Sequence, residues 1–312
     1  MRFIKHFILL SLFSVFSCEQ QEKAANREGV LQEEETDKME EFDWQGHRGA
    51  RGLIPENTVA GFTHALEFPA ITTLELDLVV SKDNFLVVSH EPWMSAAICM
   101  DKAGKPISED QEKAYNIYEM KYIDIAKFDC GIKGNERFPE QKKISVFKPQ
   151  LSDVVDAVEH QIKNKKRSPI RYNMEIKSSP AGDRIFHPIP EKFAALLVEE
   201  ISRLGIKERT TIQSFDVRAL QATKKLDAAI SLALLIENEK SLAENLALLG
   251  FTPSIYSPYH RLVDADLVAQ AAEKSMQVIP WTVNEVERMK ELIALGVDGI
   301  ITDYPNRIAR IK

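Results

Sequence analysis

The chain has 312 residues, 44% apolar and 28% charged, a composition that excludes a disordered polymer and provides for one large domain or two ordinary ones. Forty Lys and Arg against 47 Asp and Glu leave a formal charge of −7, so no general basic surface is available to neutralise a nucleic-acid backbone. Three cysteines without Cys-x-x-Cys spacing exclude a disulfide scaffold and a Cys-based zinc site.

In chain order, residues 1–17 carry the parts of a secretory signal: Arg2 and Lys5, a mainly apolar run from Phe7 to Phe16, then the small Ser17 ahead of Cys18. The run is too short to span a bilayer comfortably. Val15-Phe16-Ser17-Cys18 resembles a bacterial lipobox, apart from the bulky Phe16. It predicts an exported protein of the periplasm or cell envelope, anchored to the membrane by a lipid on Cys18; ordinary signal cleavage or a short membrane anchor is the alternative. Residues 18–42 are polar, acidic and nearly free of large apolar side chains, so burial cannot offset their ordering entropy and a flexible tether is expected. In an oxidising compartment Cys99 and Cys130 either pair, closing a loop of about 30 residues worth roughly 3–4 kcal/mol, or stand as two separate buried thiols.

Over 43–312 short β-branched runs alternate with longer amphipathic stretches, the pattern of βα units on a parallel sheet. Strands are expected over 44–47, 73–78, 172–176, 210–214, 230–235, 254–256, 278–282 and 299–302. Helices are expected over 59–67, 152–163, 191–204, 217–226, 240–249, 265–274 and 285–295. Eight runs with interposed helices predict an α/β fold, a (β/α)8 TIM barrel, whose usual ~250 residues fit this part of the chain. A further run, 85–89, follows the second strand across Ser81-Lys82-Asp83-Asn84, too short for a crossover helix, and is expected to fold back as a hairpin. Residues 91–149 then show no clear period. They are expected to form an insertion at one mouth of the barrel with order of its own. The basic cluster of 163–171 is expected to be a solvated face, and Tyr256-Ser257-Pro258-Tyr259 either adds a wall to a pocket or turns the chain.

Residues i and i+2 of a strand share a face, so Glu75 and Asp77 point together, and two carboxylates on an apolar strand repel unless a cation lies between them. Hard oxygen ligands select Mg²⁺ or Ca²⁺. The next strand repeats the device with Glu175 and Lys177. His47-Arg48 ends the first strand and His90 ends the hairpin, at the C-terminal end of the strands, where this fold carries its active sites. Pro55-Glu56-Asn57-Thr58 reads as a turn with Asn57 or Thr58 as N-cap, and Glu56 lies near the mouth.

With these residues in place the chain resembles the glycerophosphodiester phosphodiesterase family, within the phospholipase-C-like phosphodiesterases. The matching motifs are His47-Arg48-Gly49 with Pro55-Glu56-Asn57-Thr58, Glu75-Leu76-Asp77, Val87-Val88-Ser89-His90, Glu175-Ile176-Lys177, Gln213-Ser214-Phe215-Asp216, Trp281-Thr282-Val283-Asn284 and Thr302-Asp303-Tyr304-Pro305. The resemblance implies that Glu75, Asp77 and Glu175 hold one divalent cation, that His47 and His90 form the acid/base pair, and that Arg48 and Lys177 hold phosphate oxygens. Trp281 would line the glycerol or headgroup pocket, with Glu56, Asn57 and Asp303 supporting the catalytic groups. One departure is Glu91 after His90, where the family more often has Asp; it bears on the hydrogen bonding of His90.

Such a site suits metal-dependent hydrolysis of a small-molecule glycerophosphodiester to glycerol 3-phosphate and an alcohol. Fixed positive charge meets the equatorial oxygens, and two imidazoles move the protons. Water, or the glycerol 2-hydroxyl through a cyclic phosphate, serves as first nucleophile. Two alternatives are a lysophospholipase D-like enzyme, which needs an apolar surface for acyl chains, and a non-catalytic lipoprotein binding glycerophosphate polymers.

Overall fold

The computed structural model describes residues 42–311, so the expected leader, the expected lipidation of Cys18 and the expected tether up to residue 41 lie outside the described residues. Among those described, no helix is long and apolar enough to cross a membrane.

Nine strands build one sheet: β1 (Asp43–Gly46), β2 (Thr73–Val80), β3 (Leu86–Val88), β4 (Arg171–Ile176), β5 (Thr210–Ser214), β6 (Ser231–Ile236), β7 (Ile255–Pro258), β8 (Gln277–Val278) and β9 (Gly299–Thr302). Eight run parallel in the order β8-β7-β6-β5-β4-β2-β1-β9, and β3 pairs antiparallel with β2 as the expected hairpin. The two edges then meet. Asp298 N donates to Val278 O (3.0 Å), Ile301 N to Pro280 O (3.0 Å), and Val283 N to Ile301 O (2.9 Å), so the sheet nearly closes into the (β/α)8 barrel. Strand 278–282 of the sequence reading shrinks to two regular residues. Pro280 has no N–H for the ladder, although Trp281 N still reaches Pro258 O at 3.1 Å.

Helices α1 (Val59–Ala65), α3 (Leu151–Lys165), α4 (Pro190–Arg203), α5 (Val217–Leu226), α6 (Leu242–Leu249), α7 (Ala265–Glu273) and α8 (Val286–Leu295) follow the predicted order, with α2 (Tyr122–Ile125) a single turn in the insertion. Thr58, not Asn57, caps α1, its hydroxyl accepting from Gly61 N at 3.0 Å. Asn57 instead adopts φ 55° and is free to serve the site.

The basic cluster before β4 is largely exposed, as expected of a solvated face, and also makes local ties. Arg167 donates to the carbonyls of Leu66, Phe68, Pro69 and Ile71, and Lys165 pairs with Glu67, so the cluster pins the loop after α1 to the end of α3. Arg171 pairs with Asp43 at 2.9 Å beneath the barrel.

The insertion has short 3-10 turns at Glu112–Tyr115 and Ile117–Glu119, and its own buried cluster: Met94, Ile98, Cys99, Ile107, Ile117, Ile125, Phe128 and Cys130 pack on Val79 of β2 and Val87 of β3. Cys99 and Cys130 are disulfide-bonded, which resolves the open alternative in favour of pairing. Its ends lie together, since Val88 N donates to Pro149 O at 2.8 Å.

Candidate active site

The inward positions of neighbouring strands carry polar side chains that climb the barrel as one hydrogen-bonded ladder. Gln45 donates to Asp43 (2.7 Å), Asn173 donates to Gln45 (2.8 Å) and Gln213 (3.0 Å), and Gln213 Nε2 donates to Glu75 Oε1 (2.8 Å). Parallel register sets Asp77 beside Glu175 and Glu175 beside Gln213. At the top of this ladder Glu75, Asp77 and Glu175 each offer an oxygen, all within 4.8 Å of one another and all buried.

Electrostatics make this carboxylate set unstable by itself. Burial and the Asp77 charge raise Glu75 well above the usual carboxylate range, and burial raises Glu175 in spite of Lys177. Asp77 moves the other way: its burial is outweighed by Arg48, His90 and Lys177 together, and it is held ionised. Lys177 Nζ is 2.9 Å from Glu175 Oε1 and 3.8 Å from Asp77 Oδ1. Arg48 Nη1 donates to Glu56 Oε1 (2.7 Å), and its backbone N–H donates to Glu75 Oε2 (2.9 Å). Its Nε lies 3.0 Å from Asp77 Oδ2 but off hydrogen-bonding direction, an ion pair only. Asn57 Nδ2 donates to the same Oδ2 at 2.8 Å. Burial works against the charge of Arg48, but Asp77, Glu56 and Glu75 keep it firmly cationic. A three-oxygen acidic set facing a shared point fits a hard divalent cation.

The two histidines are each backed by a carboxylate. His47 Nδ1 lies 2.7 Å from Asp303 Oδ1, which leaves Nε2, 3.9 Å from Glu75 Oε2, with the free lone pair. Asp303 is itself clamped by Arg51 (2.7 and 3.1 Å) and by Asn284 Nδ2 (2.7 Å), while Asn284 Oδ1 accepts from Asp303 N at 3.0 Å. Burial, then the Arg51 charge, lowers His47 to about 4 although Asp303 pulls it upward, so its ring is neutral at pH 7. His90 Nδ1 meets Glu91 Oε1 at 2.7 Å, so the Glu at the family's Asp position supplies that partner; against burial, the His90 hydrogen bond holds Glu91 down at about 2.

One cavity of about 540 Å³ is floored by His47, Arg48, Glu75, His90, Glu175 and Lys177, and Asp77 lies buried next to Glu75 and Glu175. Phe215, Tyr259 and Trp281 form an aromatic wall, with ring centroids 5.4 Å apart for Phe215–Trp281 and 5.7 Å for Tyr259–Trp281. Trp281 Nε1 donates to Ser257 O at 2.9 Å, so the Tyr256–Tyr259 segment does contribute a wall. Every site residue predicted from sequence within the described part converges here: Arg48, Lys177, Trp281 and Asp303 on the cavity surface, Glu56 and Asn57 just behind it. Sequence reasoning missed Arg51, Gln213, Asn284 and the role of Glu91. Gln213 and Asn284 were signalled only by their place inside strand-end motifs, and Arg51 by nothing beyond its nearness to Arg48.

Residues 47–307 match the model of the glycerophosphoryl diester phosphodiesterase family. A glycerophosphodiester phosphodiesterase of Caldanaerobacter subterraneus is 30% identical over 265 residues, covering 85% of this chain and 95% of the relative. A Silicibacter pomeroyi crystal structure bearing the same family name superposes with a TM-score of 0.75 at 30% identity, covering 86% of this chain and 92% of that one. An Oleispira antarctica phosphodiesterase, solved in complex with its product sn-glycerol-3-phosphate, shares the fold at a TM-score of 0.68 and 20% identity, covering 86% and 96% of the two chains. With the family model spanning the barrel from the first catalytic-type histidine to the last strand-end motif, the chain belongs to the glycerophosphodiester phosphodiesterase family.

Proposed function

We propose that the protein hydrolyses glycerophosphodiesters to glycerol 3-phosphate and an alcohol, by acid/base catalysis with His47 and His90. The observation that carries this reading is a cluster of three buried carboxylates beside a single cavity that two carboxylate-backed imidazoles also line. One divalent cation, Mg²⁺ or Ca²⁺, on Glu75, Asp77 and Glu175 would polarise a phosphoryl oxygen and offset its growing charge. Arg48 and Lys177 add fixed positive charge for the other equatorial oxygens. Neutral His47 exchanges a proton at Nε2 while Asp303 holds Nδ1–H and steadies the imidazolium that forms. His90, oriented by Glu91, carries the complementary proton. Trp281 offers an apolar face to glycerol carbons. The lyso-lipid reading has less support, because the cavity is lined chiefly by ionisable groups rather than by an apolar surface for an acyl chain.

The test is release of glycerol 3-phosphate from glycerophosphocholine or glycerophosphoglycerol with Mg²⁺ or Ca²⁺ present. Loss of product on EDTA addition and in His47→Ala is expected; product formation that survives both changes contradicts the reading.

We propose further that the protein is exported and anchored by a lipid on Cys18. The signal-like residues 1–17 support this, and so does the Cys99–Cys130 bond, since such bonds persist in oxidising compartments. Cys18→Ser is expected to move the protein from the membrane to the soluble fraction; an unchanged distribution opposes the anchor.

A further inference from the structure

The cavity's cations are almost all spoken for. Arg48 is paired with Glu56 and Asp77, Arg51 with Asp303, and Lys177 with Glu175. Among the described residues, Arg137 alone of the cavity's Arg and Lys side chains has no carboxylate within ion-pair distance. It belongs to the insertion, not the barrel, and its guanidinium lies 5.7 Å from the ring centroid of the buried Phe138. Arg51 lies on the same ring at 4.6 Å, so Phe138 carries one guanidinium committed to Asp303 and one without a carboxylate partner.

Arg137 and Phe138 also line a second cavity, of about 760 Å³, formed wholly by the insertion. Its charged residues are Lys133, Arg137 and Lys143 against Glu109 and Glu136, and Arg137 is the cation it shares with the first cavity. Lys133 Nζ donates to Ala96 O, which ties one of these cations to the insertion backbone. A diester bound at the carboxylate cluster has two arms, and this junction has the space and the charge to receive the one that departs.

We propose that Arg137 selects the alcohol half of the substrate: it donates to an anionic group on the departing alcohol, so glycerophosphodiesters whose alcohol carries a second phosphate are preferred to uncharged ones. The proposal rests on the hydrolytic reading above and adds the substrate class. Guanidinium suits phosphate because its fork presents paired donors, which an ammonium lacks.

The test compares initial kcat/KM for bis(glycerophospho)glycerol, whose leaving alcohol is anionic, with that for glycerophosphoglycerol, whose leaving alcohol is neutral. In Arg137→Gln the ratio of the two constants is expected to fall about tenfold, the effect of losing ~1.4 kcal/mol of selective interaction. Arg137→Lys should fall between that variant and wild type. Lys121→Gln, which removes an exposed cation elsewhere on the insertion, should leave the ratio as in wild type. A ratio unchanged in Arg137→Gln, or lowered equally in Lys121→Gln, overturns the proposal. So does a wild-type preference for glycerophosphocholine that disappears in Glu237→Gln, since Glu237 is a carboxylate on the lining of the first cavity, outside the insertion, and would then be what receives the alcohol half. Failure of the wild-type enzyme to cleave any of the three compounds is a different result: it contradicts the hydrolytic reading itself.

Discussion

At the scale of single residues, the site is governed by which charges are matched. Asp303 accepts from Arg51 and Asn284 while facing His47 Nδ1, so its oxygens are fully engaged in fixing one tautomer of one ring. Asp303→Asn keeps the shape but presents an amide to Nδ1. We expect kcat to fall by about 10²-fold or more with a smaller change in KM, measured by steady-state kinetics. The depressed His47 also ties stability to pH. Its pKa is lowered from 6.5 to about 4 by burial and the Arg51 charge, so between those values the unfolded chain binds the proton that the folded one refuses. Its contribution is therefore present above pH 6.5 and is lost as pH falls toward 4, by about 3 kcal/mol. Glu75, raised by burial and Asp77, acts with the opposite sign, its contribution being present at low pH and lost as pH rises through its folded value. A bound cation removes that second effect. Denaturant unfolding with saturating Mg²⁺ or Ca²⁺ should thus lose stability from pH 6.5 to 4, and His47→Gln should flatten that loss; equal slopes in both proteins contradict the assignment.

Among the elements, the turn after β1 and the insertion decide how the site is held. Gly49 has φ 87°, and a Cβ on it would stand 2.6 Å from the Gly61 carbonyl carbon, which lets the His47–Arg48 turn rest directly on α1. Gly49→Ala is expected to cost about 2 kcal/mol or more in chemical denaturation, from clash and left-handed strain together. The insertion relies on a small core and one covalent tie. Replacing Cys99 and Cys130 by Ser together is expected to cost roughly 3–4 kcal/mol and to weaken the frame carrying Arg137 and Phe138, measured by unfolding and by kcat/KM. The strands were legible because buried parallel strands read as β-branched runs, and the helices because each keeps one apolar stripe. The insertion was legible only as an interruption. Its core comes from residues such as Met94, Ile107, Ile117 and Phe128, spaced irregularly along turns, so no period betrays it.

Over the whole molecule, the barrel turns distant stretches of sequence into neighbours: His47 and Asp303 touch across 256 residues, and Gln213 reaches Glu75 across 138. The ligand-type carboxylates were legible from their alternate spacing on strands, since i and i+2 share a face whatever the surrounding fold. The supporting shell was not. Arg51 and Asn284 reach Asp303 from a turn and a strand-end loop, and Lys148, its pKa lowered by burial, donates to Ser89 from the far end of the insertion at 2.7 Å. Such contacts depend on closure of the barrel, which no local pattern encodes. The central claim is that Glu75, Asp77 and Glu175 act as one site for one hard cation. Calorimetric titration of the cation-free protein with Ca²⁺ and with Mg²⁺ tests it most directly. The account predicts a single site per chain for at least one of the two ions, abolished in Glu175→Gln in a protein that remains folded by circular dichroism; absence of binding for both ions, or a site that persists in that variant, would contradict it.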